Sequence, residues 1–98
     1  MPSGQSDAGQ GTPADYTSAL YCVYIEVGEW KGLARDAISD FLVERSRDHA
    51  DFHFSPSDIR ARQHGYEVDL PMQLIPELVR ALAERNVAIY QVLRLQRI

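Results

Sequence analysis

A chain of 98 residues has room for one domain. Its formal net charge of −4 works against a broad attraction to nucleic acid or anionic lipid, and no run approaches the roughly 20 apolar residues of a membrane span. The single cysteine, Cys22, excludes an internal disulfide and paired-cysteine metal or redox motifs, and sets the expectation of a reduced, cytoplasmic setting.

The opening stretch MPSGQSDAGQGTPADYTS is rich in Gly, Ser, Pro, Gln and Asp and has no apolar residue larger than Ala between Met1 and Tyr16. Such a segment buries too little surface to offset its ordering entropy, so residues 1–17 read as a disordered leader and 18–98 as the folded domain. ALYCVYIEV, residues 19–27, is dense in β-branched and aromatic residues and reads as a strand. Tyr21, Val23, Ile25 and Val27 share one face; Leu20, Cys22 and Tyr24 share the other with Glu26. A strand apolar on both sides is covered twice or lies centrally.

After the GEW turn, Trp30, Leu33, Ala34, Ala37, Ile38, Phe41 and Leu42 recur at helical spacing, which places a helix at about residues 31–47. Residues 49–57 fit a short strand, a loop or an insertion. SDIRARQHGYEVDLP reads as a hairpin turning at His64-Gly65, with Ser55-Pro56 and Asp58 offering a short helix as the competing reading. The hairpin register sets Arg62 against Glu67, Arg60 against Asp69, Ala61 against Val68 and Ile59 against Leu70. Charges match on one face and apolar residues on the other, so the arginines read as scaffold, not as a nucleic-acid patch. A second helix follows from Gln73–Ile75 to a left-handed stop at Asn86, and VAIYQVLRLQRI closes as a long strand.

This order gives an α+β, ferredoxin-like βαββαβ sandwich: a mainly antiparallel four-stranded sheet with two helices on one face. Right-handed crossovers centre the first and third strands and set the last at an edge beside the first.

Chemistry-bearing groups are few. Asp48, His49, Asp51 and His53 cluster in sequence, but they leave the helix at Asp48 and lose a ligand spacing, so no metal or cofactor is expected. Cys22 lies mid-strand among large apolar groups and has no partner histidine, and no catalytic motif is present. Base stacking needs exposed aromatics on the central strands, whereas the third strand offers Glu67 and Asp69.

EVGEWKGLARDAISDFLVER resembles the first strand–helix junction of ACT domains, in which a Gly-Leu pair after an acidic residue opens the first helix; Glu29 and Gly32-Leu33-Ala34 carry the likeness. YEVDLPMQLIPELVRALAERNVAIYQV is similar to the closing strand–helix–strand of ACT-like modules. It is also similar, more weakly, to the small C-terminal regulatory domains of some ABC-transporter ATPases. The resemblance implies a non-enzymatic regulatory or interaction module, dimeric, with a small-metabolite site at Glu29, Trp30, Gly32 and Leu33. Leu20, Cys22, Tyr24, Tyr90 and Val92 form the expected dimer face, as the apolar stripe that helices on one side leave uncovered. Two readings of other classes stand beside it: a small enzyme using the Gly28–Gly32 loop, and a dedicated protein-binding partner of the immunity or antitoxin type.

Overall fold

The computed structural model describes residues 12, 14–48 and 52–98. Strand β1 (Leu20–Val27) leads through a tight turn into helix α1 (Leu33–Asp48). A 3₁₀ turn at Pro56–Asp58 then leads into β2 (Arg60–Arg62) and β3 (Gly65–Pro71). Helix α2 (Leu74–Glu84) and strand β4 (Ile89–Arg97) complete the fold. All neighbouring strands are antiparallel in the order β2-β3-β1-β4, so the chain is an α+β, ferredoxin-like sandwich as its pattern of elements requires.

One side of the sheet holds the core. Tyr21, Val23, Ile25 and Val27 pack with Val68 and Leu70 against Ala34, Ala37, Ile38 and Leu42 of α1 and Leu74, Leu78 and Leu82 of α2. Phe52 and Ile59, from the segment between α1 and the hairpin, close the same cluster. The α2 stop is a full Schellman arrangement: Asn86 sits at φ +60°, its N–H donates to Ala83 O at 3.0 Å and that of Val87 donates to Leu82 O at 3.0 Å.

Four expectations change. Residues 1–11 and 13 of the expected leader lie outside the described residues, but within it Asp15 is fully buried while Ala14, Tyr16 and Thr17 are exposed. Helix α1 begins at Leu33 and not at Lys31, because Lys31 (φ +53°) and Gly32 (φ +81°) are both left-handed. The hairpin turns at Gln63-His64, one residue earlier than read, with His64 at φ +66°. Arg60 therefore pairs with Glu67, Ala61 with Tyr66 and Arg62 with Gly65, a register displaced by two. A shift of two keeps every side chain on its face, so the expected charge matching survives.

The fourth change lies in β4. Its pairing with β1 shifts between Cys22 and Val23 and again between Glu26 and Val27, leaving Leu95 and Tyr90 as the extra residues. Each bulge rephases the strand by one residue. Val92 thus pairs with Ile25 and Arg94 with Val23, on the helix side, while Leu93 pairs with Tyr24 and Gln91 with Glu26 on the open side. In the 49–57 stretch, residues 49–51 lie outside the described residues; 52–55 have no regular secondary structure, with Ser55 extended, and 56–58 form the 3₁₀ turn. Hairpin and short helical turn, read as competitors, both exist in succession.

Candidate functional site

The first candidate is the junction between β1 and α1. Gly28 N–H donates to Ala88 O at 2.9 Å, fixing the end of β1 against the chain entering β4. Glu29 then folds its carboxylate back onto the start of α1. Its Oε1 accepts from the Trp30 and Ala34 N–H groups, both at 2.9 Å, and its Oε2 accepts from Arg35 N–H at 3.1 Å and the Tyr66 hydroxyl at 2.5 Å. The amides that an anion would meet at a helix start are thus taken by the chain's own carboxylate.

Burial pushes the Glu29 carboxyl up, but the Tyr66 hydroxyl and the three amides outweigh it and hold it below its ordinary value. Tyr66 moves the other way, pushed up to about 12 by burial and then by the carboxylate it donates to. Trp30 is 67% exposed and does not pin the helix to the core; Lys31 Nζ lies 5.1 Å from its ring centre. Gly32 has open space around its α-carbon and Leu33 is exposed. Of the four residues expected to hold a metabolite, the structure engages Glu29 internally and leaves Trp30 and Leu33 facing outward.

The open side of the sheet carries an ionic cluster. Arg60 reaches Asp69 at 2.8 Å and Glu67 at 3.4 Å, and Arg62 reaches Glu67 at 3.2 Å. Cys22 lies beneath it, its thiol donating to Glu67 at 3.6 Å and accepting from Arg60 at 3.5 Å. Burial pushes the thiol up, with the Arg60 contact opposing, so the reactive thiolate is disfavoured. Arg60 is held firmly charged by its bond to Asp69.

The expected dimer face is divided. Cys22 is covered by this cluster, and half-buried Tyr24 donates to Gln63 O at 2.9 Å across the hairpin. Leu20 lies against Pro71 at the far end of β1, and Val92 has turned to the helix side. Exposed apolar surface gathers instead along β4 and just beyond it: Tyr90 at 71%, Leu93 at 40%, Leu95 at 50% and Ile98 at 63%. The bulges account for the move, because they take apolar residues out of the face and bring them to the edge.

Sequence reasoning missed Asp15. Its carboxylate accepts from Thr17 N–H at 2.9 Å, the Thr17 hydroxyl at 2.6 Å and the Tyr21 hydroxyl, and Gln73 Nε2 donates to its backbone oxygen at 3.1 Å. The Thr17 hydroxyl, then Tyr21 and the Thr17 amide, hold its carboxyl below the ordinary value. The signal was the Asp-x-Thr spacing, a local turn motif, inside a stretch whose composition spoke for disorder. Among the described residues there is no group of three or more metal-ligating side chains, and no helix long and apolar enough to cross a membrane. No family model, curated protein or solved structure matches the chain.

Proposed function

We propose that this protein is a non-enzymatic, ACT-like regulatory or interaction module that works as a homodimer joined through β4. The observation that carries the reading is the exposed apolar run of β4 on a strand with one unpaired side. Such an edge is a template for another strand, and folds that keep one usually blunt it with charge or cover it. Between its two bulges, Gln91–Arg94 is regular and open to pairing.

A two-fold axis centred on Leu93 sets Leu93 against its own copy and Val92 against Arg94, with no like charges opposed. Centring on Arg94 would oppose two arginines and is disfavoured. The groups most suited to chemistry are already committed internally, Glu29 to the start of α1 and Cys22 to a protonated contact under Arg60, which supports a reading without catalysis. The paired arginines of the open face likewise support a protein or small-molecule partner over nucleic acid.

Sedimentation equilibrium of the wild type and of Leu93→Lys tests this. The wild type is expected to dimerise in the micromolar range, and the variant, with like charges facing across the axis, to stay folded and monomeric. A monomeric wild type at several hundred micromolar overturns the reading.

A further inference from the structure

A second surface feature lies on the helix side of β4. Met72 and Gln73, which link β3 to α2, join Ile75 and Pro76 of the first turn of α2 and Val92 and Arg94 of β4 around a cleft of about 370 Å³. That volume falls within the range of small-molecule sites, which are mostly apolar with a few placed polar groups. Four of these six lining residues are apolar, and Gln73 is occupied through the bond from its Nε2 to Asp15 O. Arg94 is the one charged group.

Its position follows from the bulge at Tyr90, between Glu26 and Val27, which turns Val92 and Arg94 together to the helix side, Arg94 opposite Val23. There the guanidinium lies across Met72, donating to Sδ at 3.5 Å. A thioether is a weak acceptor, and no carboxylate among the described residues pairs with Arg94. The contrast with the larger groove between α1 and α2 is direct. In that groove Arg45 meets Glu77 at 3.0 Å and Arg85 meets Asp40 at 3.0 Å, so each of these two cations already has a carboxylate partner.

We propose that the α2–β4 cleft binds a small monocarboxylate with an apolar body, its carboxylate held by Arg94 and its body by Met72, Ile75, Pro76 and Val92. A cation is excluded by Arg94, and a multiply charged phosphate would gain one counter-charge while losing its hydration against apolar walls. A neutral apolar ligand would fill the walls but gain nothing from the guanidinium, since Arg94 is exposed and keeps its water. A planar carboxylate matches the fork of an arginine in both charge and shape. The site goes beyond the β4-edge reading and does not depend on it, since every lining residue comes from one copy.

The test is methyl-detected NMR of the full chain, following Met72, Ile75 and Val92 while 3-phenylpropanoate or its neutral amide is added to about 10 mM. Saturable shifts confined to these methyls are expected for the acid, with the amide weaker by about tenfold or more. Arg94→Gln should remove that preference while leaving the spectrum otherwise folded, and Arg94→Lys should restore part of it. Equal binding of acid and amide, or acid binding unchanged in Arg94→Gln, overturns the proposal. So does the absence of any saturable shift. Shifts that follow protein concentration and not added carboxylate, and that persist in Leu93→Lys, would show that a second copy occupies the cleft, and would overturn it as well.

Discussion

Glu29 shows how one side chain can close a site that its surroundings advertise. A loop with two glycines ahead of a helix suggests an anion cradle, yet the helix amides meet Glu29 itself, braced by Tyr66. Replacing Glu29 with Gln removes the charge while keeping an acceptor. The Tyr66 phenol, pushed up to about 12 in the wild type, should then titrate closer to its ordinary 10.0, as followed by ultraviolet absorbance. The linkage sign is fixed by the direction. A phenol raised on folding adds stability below its ordinary value, and that increment is lost as pH climbs from 10.0 through about 12. The acids behave oppositely. Asp15 and Glu29 are both lowered, so their stabilisation is full above the ordinary carboxylate range and disappears as pH falls through their depressed values. Thermal melts of Asp15→Asn should show a weaker acid-side loss than the wild type.

Backbone conformation at single residues gives a second prediction. His64 holds φ +66° at the second central position of its turn, where Gly or Asn is the usual occupant. His64→Gly should stabilise the fold by roughly 0.5–1 kcal/mol, read as a shift in denaturant midpoint; an unchanged or lowered midpoint would count against strain at that turn. The turn was misplaced by one residue in the sequence because His64-Gly65 carries the more familiar glycine. Gly65 is there for another reason. It has no left-handed angle, and a side chain on it would press to within 2.1 Å of Ile25 O. No sequence signal distinguishes a glycine needed for close approach from one needed for a turn.

At the scale of elements, the same glycine sets the seam between β3 and β1. Gly65→Ala should cost about 2 kcal/mol or more, since the clash is with backbone and cannot be relieved by a rotamer. A cost under about 0.5 kcal/mol would mean that the two strands separate there freely. Arg60 and Asp69 test the hairpin face. Arg60→Glu should destabilise modestly and Asp69→Arg should rescue it, with a coupling of roughly 0.5–1 kcal/mol at this half-exposed site.

Strands, helices and their order were legible because period and caps agree: the alternation of Tyr21 to Val27, the spacing of Leu74, Leu78 and Leu82, and the stop at Asn86. The faces of β4 were not. Bulges at Tyr90 and Leu95 arise from pairing with β1, and nothing local in IYQVLRLQR announces them. That is why Val92 was placed on the open face, and why the exposed run along the edge was read as a patch on the sheet.

At the scale of the whole molecule, three surfaces of the described residues besides the α2–β4 cleft differ in standing. The open face is largely occupied by its own ion pairs, and the groove between the helices by Arg45–Glu77 and Arg85–Asp40. The edge of β4 alone combines exposed apolar side chains with a strand unpaired on one side. A homodimer across that edge would join two four-stranded sheets into one and cover Leu93 and Leu95.

Amide hydrogen exchange of β4 as a function of protein concentration measures this most directly, because pairing protects the outward amides and leaves those bonded to β1 unchanged. Protection of the outward amides within Tyr90–Leu95 that rises with concentration and is lost in Leu93→Lys is the predicted result. Outward amides that exchange at the same rate across about a hundredfold dilution would contradict it.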